Sequence, residues 1–243
     1  MPGRGESRVI TFSKSSILLA ILCILLLQES SFAAAEPTHS KEPEISNHLF
    51  RHPVIIIDAG HGGIDGGTSA DDLLEKDINL AISQKIFMIL KSKGYPVVLN
   101  RDDDYALSDD NHWLRSHSRH MRDLAQRKGL SDHVPSDPIV SIHVNWSKKS
   151  RTHGPIVLHQ QEARSYMLAD SIQQSLNEMY DTNRQVEWGK PFYLLNHVNK
   201  PSVIVEAGFI SNPEDRAVLS SKAGQKRIAQ AISSGIIYYL SVM

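Results

Sequence analysis

This 243-residue chain has a single cysteine. One cysteine excludes an intrachain disulfide and any zinc site built on several thiolates. A charge excess is missing too: 26 Lys and Arg stand against 27 Asp and Glu, a formal net charge of −1. General nucleic-acid binders usually carry a basic excess, so no nucleic-acid partner is expected. Long apolar runs are also lacking. The one over residues 17–27 falls short of the roughly 20 residues that span a bilayer. Three catalytic signatures do not occur: His-Glu-x-x-His, Gly-x-Ser-x-Gly and Gly-x-x-x-x-Gly-Lys-Ser/Thr. Their absence weighs against a helical zinc protease, a serine hydrolase and a P-loop enzyme. The chain does hold 12 histidines beside its carboxylates, so a metal site here is a His and carboxylate site.

The apolar run has informative flanks. Arg4, Arg8 and Lys14 precede it, and Ala33, Ala34 and Ala35 follow it. Basic, apolar and small residues in that order predict a secretory signal peptide over residues 1–35. The competing reading is an uncleaved N-terminal anchor, which would associate the protein with a membrane. Either one makes the rest of the chain exported and extracytoplasmic. Cys23 lies inside the run after Leu22, and a lipid-attachment cysteine normally follows a small residue. Residues 36–50 are polar and carry Pro37 and Pro43, which predicts a linker. Residues 51–243 show no repeat and no second composition shift, so one domain is expected.

The residues at 54–58 form a β-branched run, as in a strand buried on both faces. Helical spacing follows over 77–93, with Gly94 as a stop. Further strands are predicted at 95–100, 138–143, 155–159, 192–195 and 202–206. Further helices are predicted at 115–129, 162–179 and from 222 onward. Asn212 before Pro213 marks a helix start. Alternating strands and helices predict a single three-layer α/β domain, with a twisted, mostly parallel sheet and helices on both faces.

In such sheets, sites gather beyond the carboxyl ends of strands. Three predicted strand ends carry metal-capable residues: Asp58-Ala-Gly-His61-Gly-Gly-Ile-Asp65, Ser141-Ile-His143-Val-Asn145 and Val205-Glu206. Glu75 stands just before a helix. Two imidazoles, a carboxylate and an open position make a hydrolytic zinc site, and a further carboxylate can serve as general base. Each residue also has a plainer reading. His61 could be a polar loop residue, His143 a satisfied core histidine, and Glu75 a first-turn carboxylate favoured by the helix dipole. Glu206 resists such a reading, because a carboxylate after Ser-Val-Ile-Val is buried and needs a partner.

These motifs together resemble the zinc-dependent N-acetylmuramoyl-L-alanine amidases of bacterial cell-wall hydrolysis. The residues that carry the resemblance are Asp58 with His61-Gly-Gly, Glu75-Lys-Asp, Ser141-Ile-His143-x-Asn145 and Glu206-x-Gly-Phe-Ile-Ser-Asn-Pro-Glu. They run through nearly the whole domain. The short layout is similar to the germination-specific, spore cortex members. The resemblance implies a Zn2+ cofactor held by His61, Glu75 and His143, with Glu206 as the catalytic carboxylate. It implies a peptidoglycan substrate, cleaved between the muramic lactyl group and L-alanine. Asp58 and Asn145 are candidates for supporting the ligands or hydrogen-bonding substrate. A regulatory protein partner is an open expectation.

Some features lie outside the resemblance. Trp146 follows the His-x-Asn and could stack on sugar or merely cover the core edge. His112, His117 and His120 form a second cluster, read as surface residues rather than as a second metal site. Arg115, Arg119 and Arg122 form a stripe, usually a solvated face, that could also meet stem-peptide carboxylates. Other functions stay in view: a zinc peptidase or deacetylase acting on wall material, and a non-catalytic wall-binding module.

Overall fold

A computed structural model describes residues 53–243. The expected signal peptide or anchor at 1–35 and the linker at 36–50 lie outside those residues. No helix among the described residues is long and apolar enough to cross a membrane.

The chain forms a six-stranded sheet from β1 (Val54–Ala59), β4 (Val97–Leu99), β5 (Ser136–Asn145), β6 (Ile156–His159), β7 (Glu187–Trp188) and β8 (Ser202–Phe209). A separate small hairpin, β2 (Ser69–Ala70) with β3 (Leu73–Leu74), follows the glycine-rich segment after β1. The sheet order is β4-β1-β5-β8-β6-β7. Strands β4, β1, β5 and β8 run parallel, and β6 is antiparallel to β8. The mostly parallel sheet is therefore as expected, with a reversed edge.

Side chains alternate across the pleat, so each strand feeds two layers. On one face Ile55, Ile57, Val140, Ile142, Val203 and Val205 join the main core. Three helices cover that face: α1 (Glu75–Ser92), α3 (Ala163–Tyr180) and α6 (Lys222–Val242). Their buried stripes are Ile78, Ile82, Ile86 and Leu90, then Leu168, Ile172 and Leu176, then Ile228, Ile232 and Ile236. These are the i, i+4 rows of amphipathic helices. The other face is thinner. Ile56 and Ile139 pack there with Leu194 and Val198, against Leu130 and Val134. Those partners belong to α2 (Arg119–His133) with its C-terminal flank and to the one-turn α4 (Tyr193–His197) with its own.

Helix ends follow their local chemistry. Gly94, at φ 83°, closes α1, with its amide and that of Tyr95 bonded back to Lys91 and Leu90. The Asn212 side chain accepts from the amides of Glu214 and Asp215, and Pro213 opens α5 (Pro213–Ser220).

Two expectations change. Residues 192–195 are not a strand but lead into α4. The Asn196 side chain bonds the Lys190 and Phe192 carbonyls, and the His197 ring stacks on Tyr193 at 4.0 Å. This local bonding overrides the β-propensity of Phe-Tyr-Leu-Leu. Helix α2 begins at Ser118, whose hydroxyl accepts from the Met121 amide, and it runs through Gly129 to His133. Gly129 is thus an interior residue and not a stop.

Candidate active site

Asp58, Ser141, His143, Asn145 and Glu206 alternate with core residues, so they fall on the thin face near the carboxyl ends of β1, β5 and β8. Asp58 is buried and anchors the first strand end. Its Oδ1 accepts from Asn100 Nδ2 at 2.6 Å and from Arg127 Nη1 at 2.6 Å, and its Oδ2 accepts from the Ser141 hydroxyl. Burial opposes its charge, yet Arg127 and Ser141 hold its carboxyl below the usual carboxylate range.

Two buried guanidiniums shape the loop that follows. Arg127, from α2, donates to the Ala59 and His61 carbonyls, both at 2.9 Å, and pairs with Asp123 at 2.6 Å. Arg101 donates to the carbonyls of Ala59 at 3.2 Å and Gly60 at 3.0 Å. Three consecutive carbonyls are therefore fixed from outside the loop. His61 sits in the left-handed region at φ 59°, which a non-glycine residue adopts at a cost. Gly60 allows the closest approach, because a Cβ there would lie 2.3 Å from the His143 ring.

The fixed loop presents His61 to Glu75. His61 Nε2 lies 3.2 Å from Glu75 Oε1, and its Nδ1 lies 2.8 Å from Asp65 Oδ2. His143 Nδ1 lies 3.0 Å from the same Glu75 oxygen. The two rings meet edge to face, with centroids 5.0 Å apart. Glu75 is itself held by the amides of Thr68 at 2.8 Å and Val144 at 3.0 Å. Burial opposes its charge, but His143 and His61 hold its carboxyl far below the usual range. Burial likewise opposes protonation of His61, but Glu75 and Asp65 push its pKa up to about 9.

One ligand atom from each of His61, Glu75 and His143 lies within 4.8 Å of the other two. Among the described residues, this is the group of His, Cys, Asp and Glu side chains that could hold a metal ion. The donor set, two imidazoles and one carboxylate, matches the chemistry of a catalytic zinc site. Glu206 lies opposite His143 in the β5–β8 register. It is buried, and its Oε2 has no hydrogen-bond partner. Burial raises its pKa to about 7. A buried, unpartnered carboxylate beside such a triad fits a site completed by a cation and a reactant.

The four residues open onto a cleft of about 490 Å³, also lined by Asn145, Trp146, Phe192 and His120. Asn145 uses its side-chain oxygen to accept from the Trp146 amide at 2.7 Å. Trp146 is half exposed.

The residue profile of the N-acetylmuramoyl-L-alanine amidase family, Amidase_3, matches residues 55–238. The chain belongs to this family. It is 29% identical over 229 residues to the germination-specific N-acetylmuramoyl-L-alanine amidase of Bacillus subtilis, covering 93% of this chain and 94% of that protein. It is 30% identical to the amidase LytC of the same organism, where it covers 86% of this chain but 40% of the relative. The fold is similar to that of the CwlD amidase from Clostridioides difficile, solved in complex with the GerS lipoprotein. There the TM-score is 0.74 at 36% identity, covering 79% of this chain and all of that one.

Several contributors to this amidase's site carry no sequence signal of their own. Arg101, Arg127 and Asn100 are ordinary polar residues until the fold brings them to residues 58–61. His120 is exposed, as expected, and it also lines the cleft. His112 and His117 line a different cavity, together with Arg115 and Arg122. The histidine cluster and the arginine stripe are thus each split between two places.

Proposed function

We propose that this amidase hydrolyses the amide between the lactyl group of N-acetylmuramic acid and the L-alanine of the stem peptide, in spore cortex peptidoglycan. His61, Glu75 and His143 hold zinc in this reading. Zinc bound there supplies a Lewis acid that polarises the lactyl carbonyl and acidifies water. Glu206 takes the proton of the attacking water at Oε2 and returns it to the departing alanine nitrogen. Asp58 acts at a distance, because both of its oxygens are already engaged; it fixes Arg127 and hence the loop that carries His61. Asn145 lines the cleft, where its amide nitrogen can meet substrate.

The observation that carries this reading is the convergence of three ligand atoms beside the unpartnered Oε2 of Glu206. The cortex assignment rests on similarity to a germination-specific amidase along nearly its whole length. The expected signal peptide or anchor agrees with an exported enzyme acting on wall material. A protein partner is part of the proposal, because the similar CwlD structure contains a lipoprotein. Mass spectrometry of muropeptides digested with the zinc-loaded enzyme tests the bond. The expected products are a free muramic lactyl carboxylate and a stem peptide with an L-alanine amine. Cleavage within the peptide, or loss of acetyl groups alone, would replace this reading with a peptidase or a deacetylase.

A further inference from the structure

The cleft does not end at the four site residues. A second cavity of about 320 Å³ adjoins it, sharing Asp65, His120 and Asp123 and adding Ile64 and Arg119. The carboxylates there are already committed: Asp65 to His61 at 2.8 Å, and Asp123 to Arg127 at 2.6 Å. Arg119 is exposed, in the first turn of α2, with no hydrogen bond or ion pair to the protein. Other arginines near the site are spent, Arg101 and Arg127 on the loop after β1 and Arg122 on the Ser116 carbonyl. A free guanidinium in a cavity that continues the active-site cleft is placed to receive an anion. The part of the cleft outside this cavity differs in character, with Pro191, Phe192, Leu194 and Trp146 in its wall. Aromatic and apolar side chains suit a sugar ring better than a charged peptide.

We propose that Arg119 reads the carboxylate that an acidic stem peptide carries one residue beyond the L-alanine. The peptide arm of the substrate then runs from the site residues past Asp65 and His120, and the glycan arm lies on the Trp146 and Phe192 side. This assignment rests on the amidase reading of the site. The reach is short: a carboxylate on the next residue lies within roughly 7 Å of the scissile amide, about two residues of extended chain. Arg119 has no hydrogen bond or ion pair to the ligand residues and lines the adjoining cavity, which they do not, so it is a specificity residue and not part of the reacting centre.

The test compares two muropeptides that differ only in that carboxyl group, free in one and amidated in the other. The zinc-loaded wild type is expected to favour the free acid in kcat/KM by about tenfold, as for one charge-assisted hydrogen bond in a partly open site. Arg119→Ala should erase the preference, Arg119→Glu should reverse it, and Arg119→Lys should keep part of it. Zinc content and turnover of the amidated substrate should be unchanged in all three. An undiminished preference for the free acid in Arg119→Glu would overturn the proposal. Calorimetric titration of the same proteins with the two peptides, cut free of sugar, separates this idea from the amidase reading. If the lactyl amide is not cleaved, a carboxylate preference in binding that Arg119→Glu abolishes still supports the role of Arg119. Equal binding of the two peptides overturns it.

Discussion

Along β5, Val140, Ile142 and Val144 enter the main core, while Ile139, Ser141, His143 and Asn145 fall on the opposite face. Strand β8 divides the same way, into Val203, Val205 and Ala207 against Ile204 and Glu206. One face is dry and closed by three helices whose buried hydrophobic contacts are mostly aliphatic, with Tyr239 among them. The other is thinly covered by α2 and a one-turn helix, and the candidate site sits where that cover stops. The main core and the proposed reacting groups are thus carried by alternate residues of the same strands. The separation is incomplete, because the thin face holds its own buried ion pair, Asp58 with Arg127.

Breaking that pair from one side should give the largest effect. Arg127→Ala leaves Asp58 buried without its cation and frees the carbonyl of His61, while that of Ala59 keeps its bond from Arg101. A loss of about 3–5 kcal/mol is expected from chemical denaturation, with turnover of the folded fraction also falling. Ile142→Ala, on the dry face, sharpens the contrast. Its side chain is fully buried, so truncation should cost about 2–5 kcal/mol. Turnover per folded molecule should stay near that of the wild type. If Ile142→Ala lowered turnover as much as Arg127→Ala does, the two faces would not be separable.

A smaller effect is expected from acid. The folded pKa of Asp58 lies below its ordinary value, so its ion pair adds stability above the pKa of the unfolded chain. That contribution is lost as pH falls through the depressed folded value. Denaturant midpoints of the wild type measured downward from pH 6 should fall below about pH 4. Asp58→Asn should be less stable at pH 6 and show a flatter acid decline. An equally steep decline in Asp58→Asn would remove this pair as the cause.

The dry face was legible in the sequence because period is a strong signal. Rows such as Ile78, Ile82 and Ile86 declare a helix, and Val54-Ile-Ile-Ile declares a strand buried on both faces. That His61, Glu75, His143 and Glu206 gather at one end of the sheet was legible because each follows or borders such an element. The supports of the site were not. Arg101 and Arg127 reach residues 59–61 across more than 40 positions of chain, and no local pattern records that contact. The hairpin at Ser69–Leu74 was hidden because its strands have two residues each, too short for alternation to show. Leu194 and Leu195 mislead for another reason: they pack into two different clusters, so the pair is as apolar as a strand while forming a helical turn.

The central claim is that His61, Glu75 and His143 hold the metal while Glu206 moves the proton. It is tested most directly by measuring zinc content and turnover in the same samples of two variants. Glu206→Ala should keep a full complement of zinc and lose at least about a hundredfold in turnover. His61→Ala should lose both zinc and turnover. Full turnover in Glu206→Ala, or undiminished zinc binding in His61→Ala, would contradict the account.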